Sequence, residues 1–186
     1  MTAVDNLWYL ADEADQQAER TYHELQSAHE NATEFSKTRW VSRPRFRTIA
    51  ERVGENGLPY GAHSIVTRDS DELLLVRHRA VDMWVLPGGE VDGGEPFAAA
   101  ARRELREEAG ITATFDGLAL LGRVEFHGDG HTTWGVLPIY EANAETTELS
   151  VEDPDGEIVD AQWFETLPED TRDRRVLRSW QQENAE

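Results

Sequence analysis

Apolar residues first recur at helical spacing: Leu7, Leu10, Ala11, Ala14, Ala18, Tyr22 and Leu25 form one stripe among Asp, Glu and Gln. This predicts an amphipathic helix through the first 35 or so residues, a helical extension taken here as segment 1–38. Its stripe requires a partner, either the main domain or a second copy of the chain in a homodimer. Residues 39–59 read as an arginine-rich linker. From about Tyr60 the period shortens. Residues 63–67 alternate, and 73–76 form a continuous apolar run after the turn Arg68-Asp69-Ser70-Asp71. Further strand-like stretches fall at about 113–126, 132–141 and 158–164, and the last 18 or so residues, with Val176, Leu177 and Trp180, read as a closing helix. Strands interleaved with helices predict an α/β fold with a mixed sheet between helices, over residues 60–182.

One helix stands apart from this pattern. Pro96 suits a first helical turn, Gly110 suits a C-cap, and Ala98, Ala101, Leu105 and Ala109 make a stripe between them. Next to that stripe, Glu104, Glu107 and Glu108 stand at i, i+3 and i+4, so three carboxylates share one face. Three adjacent like charges weaken an isolated helix, and a hard divalent cation between them explains the placement. Ala100 lies one turn earlier on the same face and leaves room there. The preceding loop, Leu86-Pro87-Gly88-Gly89, lets a backbone carbonyl of Gly88 or Gly89 approach such an ion. A merely solvated acidic face leaves Gly88, Gly89, Glu95 and Arg103 unexplained.

The run Gly89-x5-Glu95-x7-Arg103-Glu104-Leu105-x-Glu107-Glu108-x-Gly110-Ile111 resembles the Nudix box at all nine specified positions of 23. The resemblance implies a Nudix-type α/β/α sandwich and Mg2+- or Mn2+-dependent hydrolysis of a nucleoside diphosphate linked to another moiety, with one to three ions. It makes Glu107 and Glu108 the principal ligands, and Glu104 a ligand or the base. It pairs Arg103 with Glu95 to orient the loop, and Glu95 also reaches a second ion. Gly89, Glu95, Glu104, Glu107 and Glu108 are thus the expected metal set, and Arg103, Glu104, Glu107 and Glu108 the catalytic set. The family's general base often lies on a later loop, where Glu125, Glu152, Asp153 and Glu157 are open candidates. The segment 157–164 resembles the family's closing strand.

Composition narrows the reading. The chain has no cysteine, which excludes disulfides, thiolate metal sites and the cysteine-dependent isomerase chemistry of the same fold. It carries 37 acidic against 18 basic residues, with Lys37 the single lysine, and resembles proteins adapted to molar salt. Such a surface repels nucleic acid and argues against general nucleic-acid binding. With no long apolar run and no leader pattern, a cytoplasmic protein without membrane contact is expected.

Other features admit two readings. Arg39, Arg43, Arg45 and Arg47 either grip phosphate or stack on a base, or else pair with the acidic surface, and pairing is favoured. Trp84 and Trp134 either stack a base or serve the core, and the core is the commoner fate. His127 and His131 are separated by Gly128-Asp129-Gly130, which favours a surface loop over a helical metal pair. A nucleotide-binding sensor without turnover is the alternative to an enzyme, although a complete box favours hydrolysis. No proline or tyrosine follows Gly110 by 15 to 18 residues, which weakens ADP-ribose and dinucleoside polyphosphate readings.

Overall fold

The computed structural model describes residues 5–69 and 71–185, so Ser70 of the expected turn lies outside the described residues. Along the chain run α1 (Leu7–Ala28), β1 (Thr33–Trp40), α2 (Arg43–Asn56), β2 (Ala62–Thr67), β3 (Leu73–His78), β4 (Met83–Val85) and β5 (Gly88–Gly89). Then follow α3 (Phe97–Ala109), β6 (Ala113–Gly128), β7 (His131–Ala144), β8 (Ile158–Phe164) and α4 (Arg174–Asn184). The sheet is mixed and flanked by helices, as expected. Two compact units form, Met1–Gly61 with Leu118–Ile139, and Ala62–Gly117 with Tyr140–Glu186. No helix among the described residues is long and apolar enough to cross a membrane.

In the first unit, α1 packs on α2 and buries Leu7, Ala11, Ala14, Ala18 and Leu25, so the helical stripe is filled within the chain. The small alanines allow close approach. Thr21 Oγ1 donates to the carbonyl of Asn56 at 2.9 Å, and Gly57, at φ 89°, closes α2 beneath it. A Cβ on Gly57 would lie 2.6 Å from Thr21 Cβ, so this turn requires glycine.

Two expectations are corrected here. The first helix stops at Ala28, and residues 33–40 form a strand that runs parallel to β6, with Thr33 opposite Leu120 and Trp40 opposite His127. The strand Thr-Glu-Phe-Ser-Lys-Thr-Arg-Trp exposes every second side chain, and its inner face holds Phe35, Lys37 and Arg39. With Phe35 as its one apolar inward residue it lacks a readable apolar alternation. The supposed linker is in fact mostly α2. Its signals were present: Ser42 caps by accepting from the Arg45 N–H, Pro44 sits in the first turn, and Phe46, Ile49, Ala50 and Val53 follow helical spacing. Three arginines in its first five residues mask that stripe in the composition of the segment. Arg43 is shared between Asp5 and Asp129, and Arg47 donates to Asn6, so acidic or polar partners take both.

In the second unit, β3 pairs antiparallel with β2, β4 and β8, and β5 pairs with β2. Helix α3 packs on this sheet through Leu105 and Ala109, which join Val66, Leu74, Val76, Ile111, Ala142, Ile158 and Ala161 in one buried cluster. Trp84 packs edge-on against Phe164, with the Arg77 guanidinium 5.6 Å from its ring centre. In the first unit, buried Trp134 lies 3.7 Å from the Arg123 guanidinium and edge-on to Tyr22. Both indoles therefore serve packing.

Candidate active site

The glycine loop is placed by β5 lying against β2, with Ala62 opposite Gly89 and His63 opposite Gly88. Gly88 adopts φ 152°, and a Cβ there would stand 2.6 Å from His63 Cα. A Cβ on Gly89 would stand 2.6 Å from the Glu104 carboxyl carbon and one of its oxygens. The bare backbone thus lies directly against a carboxylate of α3. Because the Gly88 contacts are with backbone and the Gly89 contact is with a side-chain end, the two substitutions should differ. Gly88→Ala is expected to destabilise the fold by about 1–3 kcal/mol. Gly89→Ala should melt near wild type but lose activity as Glu104 is displaced. Thermal melts alongside turnover check this, and equal melting losses in both variants would refute it.

Helix α3 runs from Phe97 with Pro96 as its N-cap, and Gly110 closes it at φ 69°. It does not present its glutamates openly to a cleft, as a simple acidic face would. Glu104 and Glu108 are only 7% and 5% exposed, while Glu107 is half-buried. Glu108 accepts a hydrogen bond from the Gly88 N–H at 2.9 Å. Arg103 holds Glu95 through two bonds of 3.0 and 3.1 Å, donates to Glu104 at 3.1 Å, and lies 3.5 Å from Glu107. It also donates to the Glu90 carbonyl at 2.9 Å, so one guanidinium ties the loop to the acidic helix.

Electrostatics follow from this geometry. Burial pushes Glu104 up to about 7, against the pull of Arg103, with Glu107 adding repulsion. Burial also holds Glu108 well above the usual carboxylate range, and the Gly88 N–H only partly offsets it. The Arg103 bonds hold Glu95 below its ordinary value, and Glu95 in turn raises Arg103.

A raised carboxyl favours the folded state in its neutral form. That contribution is complete below the ordinary value of 4.5 and is lost as pH rises through about 7. Metal-free protein should therefore lose melting temperature between pH 5 and 8, and Glu104→Gln should flatten part of that loss. Melts in EDTA across this range test it, and an unchanged slope in the variant would contradict the assignment.

The loop before β8 reaches the same helix. Ser150 N–H donates to the Ala109 carbonyl at 2.9 Å, and Glu152 N–H to that of Glu107 at 3.1 Å. Asp153 accepts from the backbone N–H groups of Asp155, Glu157 and Ile158, which occupies its oxygens in holding the turn. Glu157 remains mostly exposed, 3.7 Å from His78, and its charge together with that of Asp153 raises Glu108. Glu125 belongs to the other unit and pairs with His127 at 2.6 Å. His127 and His131 flank a two-residue turn, Asp129-Gly130, with φ of 51° and 78°, so they sit on a hairpin rather than on one helix face.

The donor set fits a hard cation in chemistry. Of the two buried carboxylates, Glu104 pairs with Arg103 and lies against the bare backbone of Gly89, and Glu108 accepts from the Gly88 N–H. Among the described residues, no three acidic or imidazole side chains converge closely enough to hold an ion alone. An ion there would complete its shell from backbone carbonyls, water and substrate oxygens, as Mg2+ commonly does. Sequence reasoning had not singled out Ser64, next on β2 after the Gly88 partner His63. Its buried hydroxyl has no hydrogen-bond partner, and nothing in a serine between histidine and isoleucine marks it.

The profile of the NUDIX domain matches residues 57–178, and the chain belongs to the Nudix family. It is 38% identical over 91 residues to a Bacillus subtilis protein provisionally named an 8-oxo-dGTP diphosphatase, covering 48% of this chain and 61% of that one. It is 44% identical over 69 residues to an RNA pyrophosphohydrolase of Caulobacter vibrioides, covering 36% of each. The chain thus spans less than two thirds of the length of either relative. The NUDIX domain of Shewanella oneidensis NrtR, solved in complex with ADP ribose, superposes with a TM-score of 0.52 at 19% identity, over 67% of this chain and 86% of that one. That likeness concerns the fold.

Proposed function

We propose that this chain hydrolyses a pyrophosphate bond in a nucleoside diphosphate linked to another moiety, with Mg2+ or Mn2+ as cofactor. The observation that supports this most is Arg103 bound at once to Glu95, Glu104 and the loop carbonyl of Glu90, on the helix that also buries Glu108. A solvated acidic face would have no use for burying two of its carboxylates. Glu104, Glu107 and Glu108, with a carbonyl of Gly88 or Gly89, water and substrate oxygens, would hold the first ion, and Glu95 would border a second. When bound, such ions neutralise phosphoryl oxygens and lower the pKa of a coordinated water. Arg103 keeps Glu95 and Glu104 fixed, and the Gly88 N–H keeps Glu108 fixed, so the carboxylates need not reorganise during the reaction. Glu157, exposed and not committed to its own turn as Asp153 is, is the loop carboxylate assigned to take a proton from water.

In domain terms we assign the hydrolase to residues 60–182, preceded by α1 and the arginine-rich segment as an N-terminal extension. The relatives favour a nucleotide-housecleaning substrate, such as an oxidised nucleoside triphosphate, or an RNA. The acidic surface weighs against the polymer. The test is a hydrolysis panel of nucleoside triphosphates, sugar nucleotides and other diphosphate derivatives with Mg2+ or Mn2+ in molar KCl. Metal-dependent release of phosphate or pyrophosphate from one class supports the proposal. Binding of a nucleotide without cleavage of any panel member would instead favour a sensor.

A further inference from the structure

Trp40 ends β1 with its side chain 80% exposed, the most open large apolar residue among those described. It is nevertheless fixed. Its register partner on β6 is His127, and the two rings stack at 4.5 Å between centres with 27° between planes. His127 cannot turn freely, because one ring nitrogen meets Glu125 at 2.6 Å and the other meets Thr132 at 3.2 Å. The strand end is also pinned: Val41 N–H donates to the His127 carbonyl at 2.8 Å. The indole is therefore held on one face and open to water on the other.

Trp40 and His127 line an open cleft of about 420 Å³, bordered by Asp129, His131 and Thr132 at the β6–β7 turn. This is within the size range of small-molecule sites, and the turn supplies hydrogen-bonding groups around an aromatic platform. Arg43 at its rim is already engaged by Asp5 and Asp129, so the cleft is suited to an uncharged planar ring rather than to a phosphate.

We propose that this cleft binds a nucleobase, stacked on Trp40 beside the Asp129–Gly130 turn. Stacking on a preorganised ring needs no base-specific contact and loses little side-chain entropy, since Trp40 is fixed before the ligand arrives. The choice of a nucleobase over another flat heterocycle rests on the nucleotide-hydrolase reading; the platform itself does not.

Nucleoside binding in EDTA tests the proposal without hydrolysis. Adenosine, guanosine and cytidine are titrated against the full chain by ligand-observed NMR, with ribose 5-phosphate as the control lacking a base. Saturable binding of at least one nucleoside, and none of ribose 5-phosphate, is expected. Trp40→Ala should weaken it about tenfold or more, and Trp40→Phe should retain part of it. Because Trp40 is exposed, both variants should fold, which circular dichroism verifies. Glu108→Gln should bind nucleosides as wild type does. Absence of saturable binding, or equal affinity in Trp40→Ala, would overturn the proposal. If nucleosides bind through Trp40 but no panel substrate is cleaved, the hydrolase reading fails and the platform stands. If cleavage occurs without Trp40-dependent binding, the reverse holds.

Discussion

Glu108→Gln should lower turnover by on the order of 10²–10³ or more while leaving the fold intact. Glutamine keeps the size of the side chain and an oxygen to accept from the Gly88 N–H, the 2.9 Å bond that places it. It removes the negative charge that a hard cation requires. Without metal that charge is a liability, because burial and the charges of Glu104, Asp153 and Glu157 all oppose it. Metal-free Glu108→Gln should therefore melt no lower than metal-free wild type. Glu107→Gln should lose rate comparably. Glu95→Gln should be milder, about 10- to 100-fold, since Glu95 acts through the two bonds to Arg103. Turnover against Mg2+ concentration for each variant decides the matter. A Glu108→Gln enzyme with near-normal rate and metal dependence would remove α3 from the metal site.

Melting temperature should rise with salt, from a low value in about 0.1 M KCl to a higher one in about 2 M KCl. The chain holds 37 acidic and 18 basic residues, a net charge of −19 on 21.0 kDa. At about 0.1 M salt the Debye length is roughly 10 Å and exposed carboxylates repel across the surface, whereas at about 1 M it is near 3 Å. Salt also weakens ion pairs such as Arg43–Asp5, but exposed pairs contribute only about 0–1 kcal/mol each. Repulsion among the unpaired excess therefore dominates. Thermal melts in graded KCl check the sign, and a flat or falling curve would end the salt-adapted reading.

The site was legible because its chemistry is local. Glu104, Glu107 and Glu108 share a face by helical geometry alone, and glycine at 88, 89 and 110 marks positions where backbone shape is the requirement. Residues 63–67, 73–76 and 158–164 read as strands because their apolar runs are buried in one cluster under α3. Strand β1 and helix α2 are hard to read from sequence for opposite reasons. β1 is held by its pairing with β6, across some 87 residues of sequence, and needs little apolar pattern of its own. α2 had a cap and a stripe, but its arginines dominated the composition of the segment.

The sequence by itself determined the family pattern, the acidic surface and which carboxylates stand together on α3, since each depends on composition or on spacing within one helix. The tertiary structure alone decided that Glu104 and Glu108 are buried and titrate high, because burial depends on the glycine loop that β2 brings against them. It likewise decided that Arg103 joins loop to helix, that Asp153 is consumed by its own turn, and that α1 finds its partner in α2. The stack of Trp40 on His127 also depends on a parallel pairing between distant strands, and no local pattern encodes such a register.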